Sequence, residues 1–265
     1  MGRQIGKLIK SANIDNVHKF RTNSRRIEAL VSELAPDNGN RKKLLKLLSK
    51  LRKKAGKVRD LDVQIAFLNE LKVPDRQNHR AQLLERLDSE QSRRKKKLEK
   101  ALDAETVTEL RKRLRRIQSE MQLAGIDPLK LAHKRLPDPG RTPLTEKMLH
   151  TCRIEAKKAR YLAELAPESP ESRQFLEELR KEQDAVGEWH DILKLKKRAE
   201  RLFGGVSDSA LVSVLQNLSR ARFRRATSAL VTAISVVSHA QKAPEPVSAR
   251  KATAPAQDLP QNAVA

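Results

Sequence analysis

Apolar residues recur three and four positions apart along most of the chain, which is the spacing of one face of an α-helix. The pattern is clear at Leu44, Leu48 and Leu51, and again at Leu211 and Leu215. No segment shows a convincing alternation of apolar and polar residues, which a half-buried strand requires. The sequence therefore predicts an all-α protein.

Residues that favour turns, chiefly proline, glycine and asparagine, interrupt the helical pattern and set the predicted ends of the helices. We predict helices at residues 13–35, 40–55, 57–72, 76–103, 105–124, 144–165, 171–186, 187–203 and 208–239, with short helices at 3–10 and 128–134. Residues 241–265 contain four prolines and much alanine without apolar periodicity. This last segment is predicted to be a disordered C-terminal tail.

The chain of 265 residues carries a formal net charge of +23. Such an excess repels itself and predicts a polyanionic partner, for example nucleic acid, acidic lipid or polyphosphate. Aromatic residues make up only 3% of the chain, whereas proteins that bind single-stranded nucleic acid stack the bases on aromatic side chains. The sequence also has no glycine-rich phosphate loop. The composition favours an anion without bases and leaves RNA or DNA as the alternative partner.

Cysteine content and hydropathy indicate the compartment. The single cysteine, Cys152, excludes an intramolecular disulfide and a thiolate-rich metal site, which favours a reducing cytoplasm. Residues 1–10 are basic but lack the apolar stretch of a secretory signal. The sequence has no run of about 18 apolar residues, so no membrane insertion is predicted. The oligomeric state stays open.

An internal repeat is the most informative feature of the sequence. The pattern His-x-x-Arg-x-x-x-basic-basic occurs at residues 18–26 and again at residues 150–158, an offset of 132 positions. Both predicted helices then end before a proline, Pro36 in the first copy and Pro167 in the second. A matched motif followed by a matched break indicates that the two segments are related.

A second pair of matching segments follows the first pair in the same order. Residues 56–60 and 187–191 both begin with glycine and end with aspartate, at an offset of 131 positions. Because the two offsets are nearly equal, the chain is predicted to consist of two related halves, residues 1–124 and residues 125–240.

Helical geometry gives the first copy of the repeat an amphipathic character. At about 100° per residue, His18, Arg21 and Arg25 fall on one side of the helix, and Phe20 and Leu34 fall on the opposite side. The apolar side is therefore expected to face the core, while histidine and arginine are presented together on the other side.

The second copy shows the same arrangement. One side of its helix carries His150, Arg153, Lys157 and Tyr161, flanked by Lys158 and Arg160. Like charges three and four residues apart destabilise a helix, although solvent on an open face would make the cost tolerable. A multivalent anion would instead neutralise both stripes, so the two helices could together line a basic groove.

These residues resemble the CHAD domain, the conserved histidine α-helical domain. Residues 150–161 fit its pattern His-x-x-Arg-x-x-x-Lys-x-x-Arg-Tyr in full. Residues 18–26 fit the pattern of the other half, but its last basic position is Glu28 here. Residues 59–63, Arg-Asp-Leu-Asp-Val, are similar to the family's Arg-Asp-x-Asp-Val segment. The resemblance covers about residues 10–240.

The resemblance implies a fold and a function. Residues 1–240 are expected to form two pseudo-twofold-related four-helix bundles, with long antiparallel helices around a basic central cavity. The implied function is binding of inorganic polyphosphate without catalysis, often at polyphosphate granules. An enzymatic role, for example as a polyphosphatase, is the less favoured alternative because the sequence shows no nucleophile constellation and no paired carboxylates with clear acid–base geometry.

The resemblance and the repeat together predict the residues of the site. Guanidinium groups are expected to bind the non-bridging phosphate oxygens, with lysines as further contacts and the histidines as donors or as supports for arginine. The predicted polyphosphate-binding residues are His18, Arg21, Arg25, Arg26, Lys53, Arg59, His150, Arg153, Lys157, Lys158, Arg160 and Tyr161. No catalytic residue and no cofactor is predicted.

Acidic and histidine residues near the motifs have expected roles as well. Asp60, Asp62 and Asp191 are expected to form ion pairs that hold the cations in place. No metal site is predicted, because the surrounding arginines would repel a cation from the repeated histidines. His79 and His133 lie outside the repeat and are expected at the surface.

Overall fold

A computed structural model describes residues 1–74, 77–121, 125–136 and 144–240, and all regular structure in this range is helical. The helices are α1 Gly2–Lys10, α2 Ile14–Leu34, α3 Gly39–Glu70, α4 His79–Glu99, α5 Ala104–Glu120, α6 Pro128–His133, α7 Glu146–Ala163, α8 Pro170–Phe203 and α9 Ala210–Ala240. The all-α prediction is therefore confirmed. The predicted disorder of residues 241–265 lies outside the described residues.

Two of the predicted helix breaks are wrong. Residues 40–55 and 57–70 belong to one continuous helix, α3, and residues 171–186 and 187–203 belong to another, α8. A glycine inside a helix costs only about 1 kcal/mol relative to alanine. Burial of apolar side chains on both sides of Gly56 and Gly187 outweighs that cost, so neither glycine ends its helix.

The helix caps repeat with the sequence motifs. The side chain of Asn13 caps α2 and that of Thr145 caps α7, which are 132 residues apart. The side chain of Asn38 caps α3 and that of Ser169 caps α8, which are 131 residues apart. A side-chain oxygen at this position accepts a hydrogen bond from a free backbone N–H of the first turn. The repeat therefore fixes the starts of two equivalent helical hairpins, α2–α3 and α7–α8.

The two hairpins pack against each other. Helix α2 contacts α3, α7 contacts α8, and the hairpins meet where α2 contacts α7 and α3 contacts α8. Helix α4 then packs on α3, as α9 packs on α8. The finer prediction of two pseudo-twofold-related bundles, divided at residue 124, stays a prediction.

One hydrophobic cluster is built from both predicted halves of the chain. Leu61 and Leu68 of α3 pack in it with Leu195 and Ala199 of α8 and with Leu215 of α9. All of these side chains are buried. Because burial of this surface needs both halves, the arrangement of α3 and α8 is fixed by the core itself.

The prediction of a surface position is wrong for His133, whereas His79 is half-buried. The side chain of His133 is only 5% exposed, and its ring lies 4.5 Å from that of Phe175. The ring of His79 stacks on Phe203 at 4.2 Å. An imidazole has flat faces that pack well against an aromatic ring, so both histidines help to anchor their helices.

Among the described residues, none of the helices combines the length and hydropathy needed to cross a bilayer.

Candidate functional site

A cavity of about 680 Å³ lies between the two hairpins, lined by residues of α2, α3, α7 and α8. Nine lysine or arginine residues line it, against three aspartate or glutamate residues. The nine cations are Arg21, Arg25, Arg52, Lys53, Lys57, Arg153, Lys157, Lys158 and Lys194. A concave surface with this excess of one charge focuses the field and concentrates anions.

The structure brings most of the predicted site residues together. Eight of the twelve line the cavity, namely Arg21, Arg25, Lys53, His150, Arg153, Lys157, Lys158 and Tyr161. The other four, His18, Arg26, Arg59 and Arg160, do not line it. The two cationic stripes of the repeat therefore face a common space instead of pointing away from each other.

Arg26 and Arg160 do not line the cavity, but both contact Tyr161, which does. Their guanidinium carbons lie 5.6 Å and 5.3 Å from the centre of the Tyr161 ring. Arg26 Nε also lies 2.7 Å from a carboxylate oxygen of Glu164, and Arg160 Nε lies 3.9 Å from the other. Cations over an aromatic face are attracted to it, so this group holds Tyr161, which is only 4% exposed, in its place at the cavity wall.

His18 and Arg59 lie close together, away from the cavity lining. His18 is exposed as a residue, but its imidazole is partly desolvated. This partial burial, together with the charges of Arg59 and Arg21, lowers the pKa of the imidazole. His150, its counterpart in the repeat, does line the cavity. The repeated histidines are therefore not equivalent in position, although their motifs match.

Acidic side chains position the cations of the cavity. Asp60 Oδ2 accepts a hydrogen bond from Lys194 Nζ at 2.8 Å, and its other oxygen lies 3.6 Å from Arg21. One carboxylate thus joins α2, α3 and α8, as the expected ion-pairing role requires. The predicted ion pair is wrong for Asp62, which accepts a hydrogen bond from the neutral side chain of Gln91 at 2.6 Å.

Glu28, the departure from the motif, is also paired. A carboxylate oxygen of Glu28 lies 2.5 Å from Arg52 Nε, and both residues line the cavity. Burial raises the pKa of Glu28, while the charge of Arg52 opposes that shift. At the position where the family motif has a basic residue, this chain therefore has Glu28. Glu28 forms an ion pair with a cation of the neighbouring helix, Arg52 of α3.

Two arginines of α2, Arg21 and Arg25, have pKa values below the ordinary value for arginine. Burial and the neighbouring charge of Arg21 lower the pKa of Arg25 to about 10. Burial also lowers the pKa of Arg21, and the carboxylate of Asp60 partly offsets this. Both groups stay protonated near neutral pH, so the fold holds them charged at close range, where an anion would relieve the repulsion.

Arg153 lies deepest among the cavity cations. Its residue is 8% exposed, and its Nε is buried without a hydrogen-bond partner in the part of the chain that the structure describes. An unsatisfied buried donor is costly and is retained at sites that bind something. Arg153 therefore lines the cavity while its Nε–H group is buried without a partner among the described residues.

The pKa values of Lys157 and Glu182, which influence each other electrostatically, are shifted in opposite directions. Burial and the charge of Arg153 lower the pKa of Lys157 to about 6. Burial raises the pKa of Glu182 to about 7, and both of its oxygens lack hydrogen-bond partners among the described residues. Near neutral pH Lys157 is therefore mostly neutral and Glu182 is about half protonated, so both groups can take up protons as the pH falls.

Two histidines and an aspartate complete the wall near α8. The rings of His150 and His190 stack with centres 5.3 Å apart, and burial lowers the pKa of both. Burial raises the pKa of Asp191, but His190 at 3.8 Å and the charge of Arg153 outweigh it and lower that pKa. The carboxylate of Asp191 therefore stays ionised beside the cations.

Several lining residues were missed by the sequence motifs, namely Arg52, Lys57, His190 and Lys194. Arg52 and Lys57 flank the predicted Lys53 on α3, and Lys194 follows Asp191 by three positions, so helical spacing was an available signal. Glu182 was missed too, although it occupies an otherwise apolar stripe with Leu179 and Val186. An acid at a core position of a helix is the signal that could have found it.

Comparisons with known proteins agree with this architecture. A family model described as the CHAD domain matches residues 4–200. The crystal structure of the CHAD domain from the plant Ricinus communis is similar, with a TM-score of 0.64 and 20% identity, covering 92% of this chain and 88% of that chain. At this identity the likeness shows a shared fold. Comparison with curated proteins gives no match.

Proposed function

The chain belongs to the CHAD domain family, and we propose that its cavity binds inorganic polyphosphate, with the phosphates lying among the cations of α2, α3, α7 and α8. The observation that carries the proposal is the lining of the cavity, in which nine lysines and arginines meet three carboxylates. Guanidinium groups bind phosphate oxygens through charge-assisted hydrogen bonds, and Arg153 is one of the arginines that line the cavity.

The cavity offers little to a nucleic acid base. Among the described residues that line it, Tyr161 is the only phenylalanine, tyrosine or tryptophan. Guanidinium groups of Arg26 and Arg160 already lie against that ring. Binding of single strands without sequence preference relies on stacking, so these contacts favour a phosphate chain without bases over RNA or DNA. Excess RNA is expected to displace labelled polyphosphate poorly.

We propose binding without turnover. Each carboxylate of the cavity lies beside a cation or an imidazole, as Asp60 does beside Lys194, Glu28 beside Arg52 and Asp191 beside His190. Such contacts support a role in positioning the cations. Incubation of the protein with polyphosphate and Mg²⁺ or Mn²⁺ should release no phosphate above the background. Release that depends on Asp60 or Asp191 would show that the protein is an enzyme.

The proposed ligand suggests a location. We expect the protein in the cytoplasm, associated with polyphosphate granules. A fluorescent fusion should colocalise with stained granules, and the same fusion carrying Arg153→Ala should spread through the cell. Colocalisation that survives the substitution would separate granule association from the cavity.

Replacement of two arginines tests the proposed function directly. In Arg21→Ala/Arg153→Ala, one contact is lost from each copy of the repeat, so polyphosphate affinity should fall on the order of 100-fold or more. The matched control is Arg173→Ala/Arg180→Ala, which removes the same charge from exposed positions of α8. Calorimetric titration gives the affinities, and far-UV circular dichroism checks that the helices persist. Unchanged affinity in the cavity variant, or an equal loss in the control, would contradict the proposal.

A further inference from the structure

Five lysines form a continuous stripe along α3, which we call the α3 lysine face. Its members are Lys43, Lys46, Lys50, Lys53 and Lys57. They are spaced alternately three and four residues apart, and all five are exposed. Lys53 and Lys57 also line the cavity. The stripe therefore begins inside the candidate site and continues beyond it along the outside of the helix.

Helical geometry separates this face from the core. At about 100° per residue, the five lysines fall within an arc of about 80°. Leu44, Leu48 and Leu51, which are fully buried, lie on the opposite side of α3. With a rise of about 1.5 Å per residue, the α3 lysine face extends about 21 Å from Lys43 to Lys57. The packing of α3 holds this row of charges outward.

The charge of the α3 lysine face is not balanced locally. Residues 39–59 contain ten lysines and arginines and no aspartate or glutamate. Within the described ranges, no carboxylate oxygen lies within 4.0 Å of any of the five lysine nitrogens. On α8, by contrast, exposed cations are paired, as Arg180 is with Glu177 at 2.8 Å and Lys181 with Glu178 at 2.7 Å. The unpaired row on α3 therefore adjoins the cavity through Lys53 and Lys57.

We propose that the α3 lysine face extends the phosphate-binding surface out of the cavity, so that a long polyphosphate chain occupies the cavity and the face together. This inference rests on the proposed function. A chain already held in the cavity is present at high effective concentration along the adjoining lysines. Each further phosphate contact releases condensed counterions, which adds affinity without new shape complementarity. A short chain such as triphosphate occupies the cavity alone.

The test compares ligand length in a variant of the outer lysines. Lys43→Gln/Lys46→Gln/Lys50→Gln leaves the cavity lining intact, because these three lysines do not line it. Lys96→Gln/Lys97→Gln/Lys100→Gln is the matched control, which removes the same charge from exposed positions at the end of α4. Affinities for triphosphate and for long-chain polyphosphate are measured by calorimetry at several salt concentrations.

The expected result is selective. The α3 variant should bind long-chain polyphosphate on the order of tenfold to 100-fold more weakly near 0.1 M salt, with a salt slope reduced by about 2. Its triphosphate affinity should match that of the wild type, and the α4 control should retain most of its affinity for both ligands. Long-chain affinity that is unchanged, or reduced equally in the α4 control, overturns the inference while leaving the cavity proposal standing. If the wild type binds neither ligand, the proposed function itself fails.

Discussion

At the scale of single residues, the cavity is a place where like charges are held together. Arg153 and Lys157 of α7 lie within electrostatic range of Arg21 and Arg25 of α2. Burial, and to a smaller extent this proximity, lowers the pKa values of Arg25 and Lys157, so the free protein bears a cost that an anion would reduce. The residues are thereby arranged in advance for a ligand of opposite charge.

Lys157 should make binding depend on pH. Its pKa of about 6 leaves it mostly neutral at pH 7, and a bound polyanion would favour its protonated form. Affinity for polyphosphate should therefore fall as the pH rises from about 6 to about 8, by up to about tenfold per pH unit. Deprotonation of Glu182, whose pKa is about 7, acts in the same direction. Titration calorimetry in buffers of different ionisation enthalpy would also measure the proton uptake.

The variant Lys157→Arg separates this lysine from the rest of the cavity. Arginine stays charged throughout the window, so the fall in affinity between pH 6 and pH 8 should shrink, leaving the part due to Glu182. The histidines His150 and His190 titrate lower, because burial lowers their pKa values below the ordinary 6.5. A slope as steep in Lys157→Arg as in the wild type would contradict the assignment.

Glu182 should limit stability at alkaline pH. Its folded-state pKa of about 7 is raised from 4.5, so the stability gained from the protonated form is present below about pH 4.5 and is lost as the pH rises through 7. Glu182→Gln should therefore increase the free energy of unfolding at pH 8 by about 1–3 kcal/mol, with the difference vanishing toward pH 4.5. Urea unfolding at both pH values would check this. A less stable variant at pH 8 would contradict it.

At the scale of helices, the sequence predicted what depends on local pattern and missed what depends on packing. Apolar periodicity located all the described helices, and the offset of 132 anticipated equivalent caps at Asn13 and Thr145. The sequence pattern wrongly predicted helix ends near Gly56 and Gly187, where burial of the flanking apolar residues stabilises a continuous helix. The intrinsic cost of glycine is visible in a sequence, but the burial that offsets it is not.

Replacing the interior glycines with alanine should remove this cost and so increase the free energy of unfolding. A Cβ added at Gly187 would meet nothing within 4 Å, so Gly187→Ala should stabilise the protein by about 0.5–1 kcal/mol. At Gly56 the added atom would contact Arg21 Nε at an ordinary 3.5 Å, so Gly56→Ala should also stabilise. Urea midpoints measure both changes. A destabilising Gly187→Ala would show that the helix is strained there.

At the scale of the whole molecule, the two hairpins create a site that neither contains alone. The motifs identified eight residues of the lining, because they mark the helix faces that turn toward each other. Helical spacing made Lys194 one of several candidates, and His190 lies in the second matched segment, but the packing of α8 beside α3 and α7 decides which of these residues line the cavity. Long-range packing of this kind leaves only a weak signal in one sequence.

The hydrophobic cluster shared by α3, α4, α8 and α9 should make unfolding cooperative across the chain. Trp189 is the single tryptophan and is buried between α7, α8 and α9, so its fluorescence reports on the second half. Fluorescence and far-UV circular dichroism should give coincident urea transitions. Leu195→Ala should lower the stability by about 2–5 kcal/mol and keep the transitions coincident. Two separate transitions in the wild type would show that the halves are independent.

The central claim is that a phosphate polymer lies between the two hairpins, and a crystal structure with bound polyphosphate tests it most directly. The account predicts density for successive phosphates in the cavity, with contacts to Arg21 of α2 and Arg153 of α7 in the same molecule. Density confined to the basic surfaces of α4, α5 or α9, with an empty cavity, would contradict it.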